Sequence, residues 1–120
     1  MKNLFVVMTL AFALSATATA YAHPRIQSAD PRIEGTLASS PKEVRIRFDE
    51  ELVPTFSGLS LHDQRGHLVA KGKGRDHVRG QELFLPLTQP LIPGRYEVTW
   101  YAVSADTHRI EGHYNFEVKN

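Results

Sequence analysis

Two short stretches of the 120-residue chain carry side chains that can act together on a metal ion: His23-Pro24 near the start and Asp106-Thr107-His108 near the end. With His23 as the first residue of a processed chain, its α-amine and imidazole close a chelate ring on one ion. A free α-amine has a pKa of roughly 7.7–8, so at neutral pH a metal displaces its proton at modest cost. Pro24 has no N–H. The second residue therefore denies a metal the deprotonated amide that a flexible terminus otherwise offers, and it stiffens the chain's exit from the site. In extended chain, residues two apart point the same way, so Asp106 and His108 present a carboxylate and an imidazole to one point. Asp-x-His alone is common. Its plain alternative is a turn aspartate capping backbone N–H groups beside an exposed histidine.

The donor set is nitrogen and oxygen only. Cysteine is absent, which also removes disulfides, thiolate sites and cysteine nucleophiles, and the two methionines are Met1 and Met8. Such ligands disfavour copper(I) and suit copper(II), nickel(II) or zinc(II), with copper(II) the strongest binder of the three.

Processing is written into the first residues. Met1-Lys2-Asn3 is a positive start, Leu4–Leu14 is apolar, and Ala20-Tyr21-Ala22 fits the small-x-small rule of signal peptidase. The expected organisation is a signal peptide over 1–22 and one domain over 23–120, exported to the periplasm. An apolar run of about 11 residues is too short to span a bilayer, where roughly 20 are needed. Of the 14 Lys+Arg only Lys2 precedes the cut, leaving 13 against 13 Asp+Glu. That balance provides no basic excess for nucleic acid or an anionic membrane. A composition of 42% hydrophobic and 22% charged residues excludes wholesale disorder. A monomer is expected.

The elements that must position these groups follow a period of two. Val44, Ile46 and Phe48 alternate with charged neighbours, as do Tyr96, Val98 and Trp100, and Tyr114, Phe116 and Val118. Weaker strands fall at Arg25–Ser28, Leu59–His62, His67–Ala70 and Glu82–Leu87. Turn residues punctuate them, among them Asp30-Pro31, Ser40-Pro41, Asp63-Gln64-Arg65-Gly66 and Pro93-Gly94. About seven short strands predict an all-β, antiparallel Greek-key sandwich or barrel. Gly72-Lys73-Gly74-Arg75 is expected to be a mobile, charged hairpin loop.

Over essentially the whole mature chain the sequence resembles the CopC family of periplasmic copper-binding, copper-resistance proteins, including its YobA-type members. The resemblance is carried by His23-Pro24, Ser28-Ala29-Asp30-Pro31, Phe48-Asp49-Glu50-Glu51-Leu52-Val53, Phe56-Ser57-Gly58, Pro93–Trp100 and Val103–Gly112. It implies an Ig-like, cupredoxin-like β-sandwich holding one copper(II) ion through His23 (amine and imidazole), Asp106 and His108. It also implies an acidic neighbour of the metal at Glu50, with Asp49 and Glu51 as alternatives, and a CopD-like membrane copper transporter as acceptor. Some relatives carry a methionine-rich copper(I) loop, which this sequence lacks.

Other candidates are weaker. His113 starts the last strand and is expected as an outer neighbour of the ligand loop. His62 and His67 flank the Asp63–Gly66 turn and read as solvated hairpin residues, with a surface metal site through Asp63 as the alternative. Nothing marks His77. Trp100 reads as core, and Lys42, Arg45 and Arg47 as a wet strand face. A non-catalytic copper carrier leads the functional readings. The alternatives are a copper-dependent oxidative enzyme built on the terminal histidine, and a metal-free Ig-like interaction module.

Overall fold

The computed structural model describes residues 25–119. The alternating segments form strands at β1 (Ile26–Asp30), β3 (Glu43–Phe48), β4 (Gly58–Asp63), β5 (Leu68–Lys73), β7 (Glu82–Pro86), β8 (Gly94–Val103) and β9 (Arg109–Val118). Two further strands are only two residues long, β2 (Thr36–Leu37) and β6 (Val78–Arg79). The described residues contain no α-helix.

The strands make two sheets, ordered β1-β3-β7-β6 and β2-β9-β8-β4-β5. All pairings are antiparallel except one: β2 runs parallel to the end of β9, with Thr36 opposite Glu117 and Leu37 opposite Val118. The long β8–β9 ladder, from Gly94↔Val118 to Val103↔Arg109, is the spine that presents the 104–108 loop at one end of the sandwich.

The core lies between the sheets, where alternation sends every second side chain. Val44, Ile46, Phe48 and Leu83 from one sheet meet Leu61, Val98, Ala102 and Phe116 from the other, all fully or nearly fully buried. The Phe48 ring meets Trp100 edge-on at 5.1 Å across the two sheets. Deleting such a ring (Phe48→Ala) costs about 3–5 kcal/mol, because its transfer energy is lost and a cavity is left. Gly112 sits opposite Trp100 on β9, and a Cβ there would lie 2.6 Å from the Trp100 ring. Glycine at that position lets the indole lie flat over the neighbouring strand. Trp100 thus belongs to the core wall, four positions before the loop.

The segment expected to be a mobile hairpin is built differently. Gly72 and Lys73 complete β5, Gly74 turns the chain at φ 82°, and Arg75–His77 form a single 3₁₀ turn. The His77 ring seats on Gly72, and its Nδ1–H donates to the Phe84 carbonyl at 3.1 Å. That packing fixes a stretch whose glycines and charges alone suggest freedom.

Candidate metal centre

The ligand loop begins where β8 stops. Ser104 forms an isolated bridge with Leu52, and Val53 N–H donates to the Val103 carbonyl at 2.7 Å. Behind them the fully buried Ser57 hydroxyl donates to the Val53 carbonyl at 2.9 Å and accepts Val103 N–H at 3.0 Å. One hydroxyl thereby satisfies both the end of β8 and the 52–53 segment beside it, where a buried unpaired polar group would be costly.

From this base the loop closes on itself. Thr107 N–H donates to the Ser104 carbonyl at 2.9 Å, and Ser104 N–H reaches the His108 carbonyl at 3.4 Å. Thr107 takes φ 67°, a left-handed conformation that is an outlier for a β-branched residue. Asp106 and His108 do face each other, with Asp106 Oδ2 3.4 Å from His108 Nδ1. The reason differs from the expected one: a left-handed turn at Thr107, and not extended backbone, puts the two side chains on one side.

The other Asp106 oxygen, Oδ1, accepts the hydroxyl of the buried Ser104. That bond, aided by His108 and opposed by desolvation, holds the Asp106 carboxyl below its ordinary 3.8. The carboxylate is thus ionised and oriented by Ser104 at one oxygen while the other faces the imidazole. Asp106 and His108 side chains are 43% and 47% exposed, open enough for an ion to enter. An imidazole and a carboxylate make half of a nitrogen–oxygen site.

The 49–53 segment connects this loop to the beginning of the described chain. Arg25 N–H donates to Asp49 Oδ1 at 2.6 Å, and Asp49 N–H returns to the Arg25 carbonyl at 2.9 Å. Glu50 follows, half-buried, between that pair and the Leu52–Ser104 bridge; Glu51 is exposed. His23 lies outside the described residues.

The remaining histidines are not brought to this loop. His113 sits opposite Thr99, five positions up β9 from His108 and about 17 Å away along the strand. His67 Nδ1 is 3.7 Å from Asp63 Oδ2, while His62 faces Glu97 across the β4–β8 pair and keeps a buried Nδ1 without a hydrogen-bond partner among the described residues. Among the described residues no group of three or more His, Asp and Glu converges as a metal site. Sequence reading missed the two hydroxyls that build the loop, Ser57 and Ser104. Both stand in quoted motifs, but only their burial and partners give them a role.

A two-sheet β-sandwich with an Asp-x-His loop closing its longest hairpin defines the class. Residues 26–119 match the CopC domain family, and the chain belongs to it. Among its relatives, copper resistance protein C of Pseudomonas syringae pv. tomato is 34% identical over 122 residues, covering 94% of each chain. Protein YobA of Escherichia coli K12 is 31% identical over 104 residues, covering 86% of this chain and 84% of that protein. Among solved structures, CopC from Methylosinus trichosporium OB3b superposes with a TM-score of 0.72 at 36% identity, covering 81% of this chain and 94% of that one. PcoC, a methionine-rich copper resistance protein from Escherichia coli, matches with a TM-score of 0.67 at 34% identity, over 82% and 100%.

Proposed function

We propose that this chain is a periplasmic copper(II) carrier that sequesters one ion per mature molecule, exported by cleavage before His23. The ion is its cargo, held by the amine and imidazole of His23, by Asp106 and by His108, with Glu50 beside it. The observation that carries this reading is the Asp106–His108 pair, oriented by Ser104 and tied through Leu52 and Asp49 to Arg25, two residues from His23. Two residues span at most about 7 Å, so a chain that begins at His23 has only a short reach beyond the Arg25–Asp49 pair. The family names of the relatives point to the same metal.

The carboxylate fills part of the coordination shell, which suits holding an ion over oxygen activation, so the role is carriage and not catalysis. PcoC is described as methionine-rich, whereas the methionines of this chain stand only at positions 1 and 8. Without thioether or thiolate ligands the mature chain, from His23 on, has nothing soft for copper(I). Reduction, or protonation of the amine and imidazoles, then releases the ion to an acceptor, for which a CopD-like membrane transporter is the proposed partner.

The deciding experiment compares protein beginning at His23 with protein carrying one extra residue before it. The extension acylates the amine and is expected to lower copper(II) affinity by roughly two orders of magnitude or more. Equal affinity in the two forms would rule out amine coordination. Mass spectrometry of the exported protein reports the cut site and the bound metal together.

A further inference from the structure

The amino-terminal half of the centre has to be delivered to the 104–108 loop by backbone. The reciprocal hydrogen bonds between Arg25 and Asp49, at 2.6 and 2.9 Å, extend the β1–β3 pairing one step beyond Ile26↔Phe48. They do so on β1, a strand at the edge of its sheet, which has no second neighbour among the described residues. Three residues after Asp49, Leu52 bridges Ser104, whose hydroxyl holds Asp106. Asp49 therefore stands at the near end of a short link between the beginning of the chain and the ligand loop. Its Oδ1 is engaged with backbone, which distinguishes it from the half-buried Glu50 that follows.

Building on the function proposed above, we infer that Asp49 is a positioning residue for the copper centre. One carboxylate oxygen, Oδ1, accepts the first N–H that follows Pro24. That bond does two things. It fixes the strand two residues after His23, so the terminal amine and imidazole search only a small volume around the loop. It also keeps the Arg25 nitrogen committed as a donor to the protein, so it does not compete with His23, Asp106 and His108 as a ligand. Proline at position 24 denies the metal one backbone nitrogen, and Asp49 withholds the next.

The test compares wild type, Asp49→Asn, Asp49→Ala and Arg25→Pro, each beginning at His23. Asn and Ala remove the same charge, but Asn keeps an oxygen acceptor; Arg25→Pro removes the donor and leaves Asp49 intact. Copper(II) affinity is read by competition, the equatorial ligand set by EPR, and Arg25 amide exchange in the metal-free protein by NMR. Asp49→Ala is expected to lose about tenfold in affinity, to change its EPR nitrogen pattern and to expose the Arg25 amide to exchange. Asp49→Asn should stay within about threefold of wild type, with the amide protected. Arg25→Pro should lose affinity as Asp49→Ala does, and it carries the test alone if Asp49→Ala does not fold.

Equal losses in Asn and Ala would assign the effect to charge and overturn the inference. So would unchanged affinity and EPR in Asp49→Ala and Arg25→Pro. Wild-type protein that ignores copper(II) while its Arg25 amide is protected would overturn the carrier function, and this inference with it. Normal wild-type binding with indifferent variants would overturn this inference alone.

Discussion

Two turns of this molecule pair an aspartate with a following histidine and put the pair to different uses. In the β4–β5 turn, Asp63 Oδ1 accepts the backbone N–H groups of Arg65 and His67, both at 2.9 Å, and His67 approaches Oδ2 only to 3.7 Å. That carboxylate is spent on shaping the turn, as turn aspartates commonly are. In the β8–β9 loop the backbone closes without the carboxylate, through Thr107 to Ser104 and Ser104 to His108. Asp106 is held by a side chain, Ser104, and its Oδ2 is turned to the imidazole. Both carboxyls are pulled below the ordinary 3.8, Asp63 chiefly by the His67 N–H and Asp106 chiefly by the Ser104 hydroxyl. A depressed acid is therefore no guide to a metal site. What distinguishes the two is what holds the carboxylate: the backbone N–H groups of its own turn at Asp63, and a buried side-chain hydroxyl at Asp106.

The comparison breaks most decisively at the histidines. His108→Ala should lower copper(II) affinity by orders of magnitude with little change in Tm, since its side chain is about half exposed. His67→Ala, 73% exposed at its side chain, should leave copper(II) affinity at the wild-type value. A titration in which both variants bind alike would remove the distinction between the two turns.

Ser104→Ala sharpens it next. The buried hydroxyl is lost without a large cavity, so the fold should survive while Asp106 loses its orientation and its pKa returns upward. Removing a partner that orients a ligand typically costs about 10–100-fold in metal affinity. Competition titration at neutral pH measures it, and wild-type affinity in Ser104→Ala would assign the orientation of Asp106 to the turn alone.

The smaller Thr107→Asn effect is on stability. Threonine at φ 67° is strained, whereas asparagine tolerates the left-handed region. The substitution should raise the stability of metal-free protein by about 1 kcal/mol, read as a rise in Tm of a few degrees. The threonine hydroxyl bond to the Asp106 carbonyl, at 2.6 Å, works against that gain.

Which parts of this were legible beforehand follows from the range of the forces involved. β3, β8 and β9 announce themselves because burying alternate residues such as Val44, Ile46 and Phe48 writes a period of two over several positions, while β1, β4, β5 and β7 show more weakly between their turn residues. β2 and β6 are two residues each, too short to write any period, and the parallel β2–β9 pairing depends on a partner some 80 positions away. The Asp106–His108 pair was legible as residue types and spacing. The left-handed Thr107 that makes them face each other was not, because a threonine in that conformation contradicts its own local preference and is imposed by the ladder on either side. Ser57 and Ser104 look like ordinary loop serines until burial shows which backbone groups and carboxylate they serve. Gly72–Arg75 misled for the converse reason: glycine beneath the His77 ring marks close packing, and composition reads the same residue as flexibility.

The last contrast is in acid. Asp63 titrates below 3.8 in the folded chain, so relative to an unfolded value near 3.8 it adds stability that is complete above that pH. The contribution is lost as pH falls from about 4 through the depressed folded value, and lowering pH from 7 to 5 leaves it intact. Asp63→Asn keeps an oxygen for the Arg65 and His67 N–H groups but cannot titrate. Its metal-free Tm should fall slightly at neutral pH, by a few degrees at most, and its loss of Tm between pH 5 and 3 should be shallower than that of wild type. Copper(II) affinity at pH 7 should be unchanged, since the turn lies at the opposite end of β4 from the segment that meets the ligand loop. Acid limbs that superimpose for the two proteins would show that Asp63 does not support the turn through its charge, and the division of labour between the two aspartates would have to be redrawn.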